Sequence, residues 1–207
     1  MIRPKIPGSR SQAHQESFVL NVLKEKHNGY YVELGSAWPF KNSNTYILET
    51  KYNWSGLSLE NDPERVKLFN NSSRNNKCIQ ADAITFNYLQ HFKDNNFPRQ
   101  IDYLQMDLHP AETTLKALKI LPLIDYRFST ITYEHNGYRD AAHRKIKKDS
   151  QNILLSLGYV LVVDDLTLKY YGQDLAYEDW YIDPLAVATE QYSDLINKNV
   201  YDTDLFY

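Results

Sequence analysis

Cysteine occurs once in these 207 residues, glycine seven times and methionine twice. With Cys78 alone, no internal disulfide can form, which suits a reducing compartment; a small core residue on a strand is the plain reading of its place. Positive charge is not in excess: 23 Lys and Arg stand against 26 Asp and Glu, a net charge of −3 and a pI of about 6.1. That balance gives no electrostatic footprint for nucleic acid, and none is expected as a partner. No apolar run is long enough to span a bilayer, and residues 1–10 lack the apolar core and small-residue cleavage site of a leader. The expectation is a soluble, cytoplasmic protein without a membrane partner. Internal repeats and low-complexity segments are also lacking, and the length suits one domain, with residues 1–28 as an arm and helix and 29–207 as the core.

What is present is organised around Tyr30-Tyr31-Val32-Glu33-Leu34-Gly35-Ser36-Ala37-Trp38-Pro39, a short apolar strand running into a tight turn. In doubly wound α/β folds such a turn opens a nucleotide pocket at the carboxyl edge of the first strand. Gly35 lets the backbone approach a ligand where a Cβ would collide. A second apolar run, Trp54 to Glu60, places a carboxylate 25 positions beyond Gly35, at the tip of the neighbouring strand. There Glu60 can accept hydrogen bonds from a ribose diol, or simply be a solvated strand end. Asp62-Pro63 then starts a helix, the aspartate as N-cap and the proline in the first helical position.

The rest of the chain continues the alternation. Ser11 caps a predicted helix running to Lys26, with Phe18, Val19, Val22 and Leu23 on one face. Helices are predicted over 43–52, 85–92, from Pro110, and over 138–157, with strands over 77–80, 102–107 and 129–134. The polar run from Asn70 to Asn76 reads as a surface loop. Residues 159–163 are the most strand-like run, and 166–171 are expected to pair with them across Asp164-Asp165 as a hairpin. Five strands alternating with helices and then two close strands describe a seven-stranded, mostly parallel sheet that finishes with an antiparallel hairpin. Seventeen tyrosines, many near the C-terminus through Tyr201 and Tyr207, suit half-buried strand faces and ligand rims alike.

Several blocks together resemble the FkbM-type S-adenosylmethionine-dependent methyltransferases, over most of the chain. They are Ser11-Gln12 with Gln15-Glu16; Val32-Glu33-Leu34-Gly35 with Ser43-Asn44-Thr45; Trp54-Ser55-Gly56-Leu57 with Glu60; residues 101–107 followed by Ala111-Glu112; Thr132-Tyr133-Glu134-His135-Asn136; and Glu178-Asp179-Trp180-Tyr181. Two positions depart from the family's pattern: Pro39 stands where a second loop glycine is usual, and His109-Pro110 where Glu-Gly usually follows the fourth-strand aspartate. The resemblance implies a Rossmann-like class I methyltransferase fold. It also implies S-adenosylmethionine as cofactor, with Glu33, Gly35 and Asn44 at its methionine end, Glu60 at the ribose, Asp82 and Ala83 at the adenine, and Asp107 near the transferred methyl.

Methyl transfer from a sulfonium is an in-line displacement, and a hydroxyl acceptor needs a base. His135 beside Glu134 is the first candidate, since imidazole titrates near neutral pH and a carboxylate can fix its tautomer. Adjacent strand residues point to opposite faces, however, so Asp107 can be the partner instead. His109, Asp179 and Trp180 are the candidate substrate contacts. A divalent ion on Asp107, His109, Glu134 and His135 is an open alternative, but no tight ligand spacing supports one, and neither folding nor cofactor binding is expected to need metal. The expected activity is O-methylation of a small molecule or glycan. A nucleoside-binding module without transfer activity and a nucleotide-dependent oxidoreductase are the competing readings.

Overall fold

A computed structural model describes residues 3–198, 200 and 201. Tyr207 and the first two residues of the expected N-terminal arm lie outside them. The elements run α1 (Gln15–Val22), β1 (Tyr30–Leu34), α2 (Tyr46–Thr50), β2 (Ser55–Glu60), α3 (Pro63–Asn70), β3 (Cys78–Gln80), α4 (Tyr88–Asp94), β4 (Gln100–Met106), α5 (Ala111–Ile120), β5 (Arg127–Glu134), α6 (Ala141–Ser156), β6 (Val160–Tyr170), β7 (Gln173–Ile182) and β8 (Asn197–Lys198). The sheet order is β3-β2-β1-β4-β5-β7-β6-β8. Strands β1 to β5 are parallel where they pair, and β7 is antiparallel to both β5 and β6. The two-residue β8 adds an edge to the seven expected strands. Among the described residues no helix is long and apolar enough to cross a membrane.

Both faces of the sheet are covered, which is why the central strands are apolar on both sides rather than alternating. On one face Val32, Leu34, Leu104, Met106, Ile131 and Tyr181 pack with Tyr88 and Phe92 of α4, Leu115 and Leu118 of α5, and Ile146 and Leu154 of α6. On the other, Tyr31, Tyr103, Trp180 and Ile182 pack with Phe18, Val19 and Val22 of α1 and with Ile47 and Leu48 of α2. Each such side chain, fully buried, is worth about 1.5–3 kcal/mol in apolar transfer.

Three local expectations change. Helix α1 starts at Gln15, not Ser11, because the buried Glu16 carboxylate turns back to accept the amides of Arg10 and Ser11 (2.6 and 3.1 Å) and reaches Ile47 N (3.0 Å). It ends at Val22, with Lys24 and Glu25 in left-handed backbone (φ 54° and 50°). The terminal hairpin does not turn at Asp164-Asp165. Strand β6 runs through that pair with register shifts, and the turn falls at Tyr171-Gly172, both at positive φ (47° and 77°), the pattern of a two-residue hairpin loop. Third, the Asn70 to Asn76 loop is not all surface, since Arg74 is buried.

Candidate functional site

The carboxyl ends of β1, β2, β4 and β5, with Tyr177 and Glu178 from the middle of the antiparallel β7, converge on two cavities. Gly35 shapes the meeting point: its φ is +85°, and a Cβ there would lie 1.9 Å from the Asp107 carbonyl oxygen, so only glycine fits. The amides of Gly35 and Ser36 both donate to Leu59 O (3.0 and 3.1 Å), which holds the turn against β2.

The larger cavity, about 390 Å³, lies over the tips of β2, β3 and β4. Its lining brings together Gly35, Glu60, Asp82, Ala83 and Asp107, which were expected at a cofactor, with His109, which was expected at the substrate. Glu60 is buried and oriented by backbone: its Oε1 accepts Asn61 N (2.9 Å) and Asp62 N (3.0 Å), and its Oε2 accepts Ala37 N (3.0 Å). Asp82 is exposed and accepts Ile84 N through Oδ1 (3.0 Å), while Tyr88 Oη donates to the Ala83 carbonyl (2.7 Å) and fixes the wall behind it. Arg65 also lines this cavity and stacks over the Trp38 ring, with 5.6 Å from guanidinium carbon to ring centroid; neither role was read from the sequence.

The second cavity, about 140 Å³, shares Gly35, Ala37 and Asp107 with the first and extends over β4, β5 and β7. Strand register explains its lining. Glu33 pairs with Gln105, Gln105 with Thr132, and Glu134 with Glu178, so successive polar side chains on one face of the sheet line up across the strand tips. A bulge assists: Leu166 aligns with Glu178 and Thr167 with Ala176, which leaves Tyr177 extra, and Tyr177 and Glu178 both line the cavity. Gln15 Nε2 donates to Glu178 Oε2 (2.6 Å) and Tyr177 Oη (3.2 Å). Asn44, expected at the cofactor, lines this cavity with the exposed Trp38 and Lys41.

This cavity collects four carboxyl groups, Glu33, Asp107, Glu134 and Glu178, against one lysine, Lys41. Asp107 opens to the cleft, yet protein crowds it; burial raises its pKa, against the pull of its hydrogen bond with Glu134 and of His109. Glu134 is held well above the usual carboxyl range by burial and by the charges of Asp107 and Glu178. Burial pushes Glu178 up to about 7 despite the hydrogen bond from Gln15. Glu33 is also raised by burial, which Arg74 and hydrogen bonds from Ser58 (2.8 Å) and Thr45 (2.9 Å) offset in part. Gln105 is 3 % exposed, and its buried Oε1 has no hydrogen-bond partner among the described residues.

One residue further along the strands the side chains turn to the other face. His135 is fully buried: Nδ1 accepts Gly137 N (2.9 Å), and Nε2 faces Asp179 Oδ1 (3.3 Å) and Asp165 Oδ1 (3.6 Å). It lines neither cavity, whereas its neighbour Glu134, also expected at the site, is aimed into the second cavity by the strand's period of two. Asp179 is likewise fully buried, holding Gln151 Nε2 (3.0 Å) and Asp165 N (2.9 Å). Burial alone would raise its pKa, but His135 and Lys147 outweigh that and the net shift is downward. Trp180, expected to stack on a substrate, stacks instead on Phe18 in the core at 4.5 Å. Neither residue is open to a substrate.

His135, Asp165 and Asp179 are the one group of possible metal ligands among the described residues, with ligand atoms within 4.8 Å of one another. The chemistry argues against an ion. An Nδ1 that accepts an N–H leaves the imidazole proton on Nε2, the atom that would have to coordinate. Lys147 already supplies a cation, 2.6 Å from both Asp164 and Asp165.

Pro39 does not leave the β1 loop without support. Arg74, fully buried, donates to the Pro39 carbonyl (2.9 Å), Ser43 Oγ (3.2 Å) and Thr45 Oγ1 (2.8 Å), and pairs with Glu49 (2.9 Å). Cys78 lies under the same loop, 3.2 Å from Ser36 Oγ; burial pushes its thiol up to about 11, which keeps it unreactive.

No protein-family model and no curated protein matches this sequence. Solved structures do share its architecture. An O-methyltransferase from Bacillus cereus in complex with SAH superposes with a TM-score of 0.54 at 13% identity, covering 86% of this chain and 84% of that one. The N-methyltransferase NodS from Bradyrhizobium japonicum WM9 gives 0.51 at 10%, over 82% and 94%. An rRNA methylase from Streptococcus thermophilus gives 0.50 at 10%, over 81% and 93%. Their names cover oxygen, nitrogen and RNA acceptors, so the likeness selects no acceptor. What it shows is the fold: a Rossmann-like α/β sheet of the kind these methyltransferases use, with the antiparallel strand inserted next to β5.

Proposed function

We propose that the protein is an S-adenosylmethionine-dependent methyltransferase of the FkbM type, acting on a hydroxyl oxygen of a small molecule or glycan. The observation that carries this is the junction of the two cavities at Gly35, Ala37 and Asp107. A donor lying across this junction, its adenosine in the first cavity and its amino-acid end on the β1-loop side of the second, would present its reactive centre to an acceptor on the β4, β5 and β7 side of the second. The cofactor fits the larger cavity's residues: a Gly35 turn packed directly on the Asp107 carbonyl at the cavity's edge, a backbone-oriented Glu60 for a diol, and Asp82 with the Ala83 backbone for an amino-purine edge. At the other end Glu33, Asn44 and Lys41 supply groups of both signs for an amino-acid moiety.

Bound there, S-adenosylmethionine supplies an electrophilic methyl on sulfur, whose bond to sulfur breaks as the bond to the acceptor oxygen forms. The chain's own part is to align the acceptor and take its proton. Asp107 and Glu134 share a hydrogen bond and raised pKa values, so the ionised member of the pair can receive the hydroxyl proton while the other holds it in place. The second cavity sets one lysine, Lys41, against four carboxyl groups and so offers little positive charge to a phosphodiester, which supports a small molecule or glycan over nucleic acid.

Binding isotherms with S-adenosylmethionine, S-adenosylhomocysteine and NAD test this directly. Saturable binding of the two sulfur compounds and none of NAD is the expected result. NAD binding alone would establish the oxidoreductase reading instead.

A further inference from the structure

A third cavity, about 520 Å³, is larger than either at the strand tips and shares no lining residue with them. It runs along α6, which gives it Arg144, Lys147, Lys148, Gln151, Asn152 and Leu155, spaced three and four apart and so on one helical face. The stripe is about 16 Å long at the helical rise of about 1.5 Å per residue. Tyr138 and Ala176 of β7 stand across from it. Charge pairing along this helix is uneven. The cations that do not line the cavity are already paired, His143 with Asp140 (2.8 Å) and Lys145 with Asp149 (2.6 Å). Asp165, the cavity's one carboxyl, is held by Lys147 at 2.6 Å. Arg144 and Lys148 line the cavity, are exposed, and among the described residues have neither a carboxylate nor a side-chain hydrogen bond. In a chain whose net charge is −3, two unmatched cations one turn apart on a concave face make a local field of the opposite sign.

We infer that this cavity binds a small phosphomonoester, its dianionic head between Arg144 and Lys148 and its carbon body lying past Asn152 to Leu155. The inference goes beyond methyl transfer and does not depend on it. Side chains one turn apart have Cβ atoms about 5–6 Å from each other, close enough for both to grip one phosphate. The guanidinium fork takes two of its oxygens and the ammonium the third, and a charge near −2 balances the pair. The Gln151 amide is occupied by Asp164 and Asp179 (3.2 and 3.0 Å), which leaves Asn152 to meet polar groups on the body. Leu155, 46 % exposed, makes the far end apolar. A single-stranded nucleic acid would need cations recurring along the groove, and here they stop at Lys148. An acidic peptide offers one charge per carboxylate and so matches the close pair less well.

Titration of the isotope-labelled full chain with phenyl phosphate, followed by amide NMR shifts, tests the inference, with inorganic phosphate, tetraglutamate and a thymidine oligonucleotide for comparison. The expected result is saturable shifts confined to α6 and the residues facing it. Phenyl phosphate should bind more tightly than inorganic phosphate and leave S-adenosylhomocysteine affinity unchanged. Arg144→Gln and Lys148→Gln should each weaken phenyl phosphate about two- to fivefold. Leu155→Ser should remove its advantage over inorganic phosphate. Lys145→Gln, the same loss of charge outside the cavity, should leave its binding as it was, with circular dichroism unchanged in all four variants. Absence of saturation overturns the inference, as does equal binding of inorganic phosphate, an equal weakening by Lys145→Gln, or competition with S-adenosylhomocysteine. Tighter binding of tetraglutamate or of the oligonucleotide would overturn it in favour of an acidic peptide or a nucleic acid.

Discussion

Two acidic clusters lie back to back on this sheet, one residue apart along the same strands, and their fates are opposite. Behind the sheet, Asp164, Asp165 and Asp179 are met by Lys147, His135 and Gln151, and Asp179 is shifted toward the ionised form. In front, Asp107, Glu134 and Glu178 meet one another, and among the described residues no lysine or arginine pairs with them; the pKa of each is raised. A carboxylate that the fold has already neutralised is architecture, and one left to share protons is available for chemistry.

Breaking the front cluster should give the largest effect. Once an acceptor is found, Glu134→Gln should lower kcat about 10²–10⁴-fold with S-adenosylhomocysteine affinity nearly constant, the mark of a group used in the transition state. Full turnover would remove Glu134 as base. Breaking the rear cluster should act on stability: Asp179→Ala leaves Lys147 and His135 facing a void and should cost about 3–5 kcal/mol in urea unfolding, with the folded fraction still binding S-adenosylhomocysteine. A stable variant that has lost cofactor binding would reverse the two roles.

Smaller effects sharpen the contrast. Glu60→Ala should weaken S-adenosylhomocysteine by about 1.5–3 kcal/mol in calorimetry, and Asp82→Ala by less. Glu178 has its pKa raised to about 7 in the fold against an ordinary 4.5, so its ionisation opposes folding: stability is full below the ordinary value, falls as pH rises through about 7, and then levels. Glu178→Gln should therefore raise the melting temperature at pH 8 and change it little at pH 4, the gain being at most about 3 kcal/mol. A loss of stability at pH 8 would mean the carboxylate is paired after all. Excess chelator should change neither folding nor cofactor binding, since the Nε2 proton of His135 stands where an ion would coordinate.

The fold was legible because its signals are local and repeated. Glycine and proline punctuation at Gly35 and Asp62-Pro63, and apolar runs ending in Glu60 and Asp107, mark strand tips without any knowledge of pairing. The larger cavity followed from those tips. The second cavity was legible only in part, because which neighbour faces inward depends on register between distant strands. Glu134 and His135 are equivalent as text; their parity is set by where β5 ends. The last strand was expected at 166–171, where β6 still runs, because Asp174, Glu178 and Asp179 interrupt the apolar pattern of β7, and with that misplacement went the inward Glu178. Asp179 and Trp180 were chosen from the same block, and the one turns to the rear while the other joins the core. Gln105 carried no signal beyond membership of a strand.

The arginine beneath the β1 loop carries one more implication, for how this sequence can vary. Runs of asparagine and serine between elements are ordinarily where a chain drifts most freely, changing length and composition with little consequence. Here the run from Asn70 to Asn76 delivers the guanidinium that bonds the Pro39 carbonyl and Ser43. A one-residue insertion in that run would withdraw it, and the loop facing both cavities would lose its underside although nothing in either cavity had been touched. The segment that looks most dispensable on paper is thus tethered to the site, and its spacing should be as intolerant of change as that of the glycine turn.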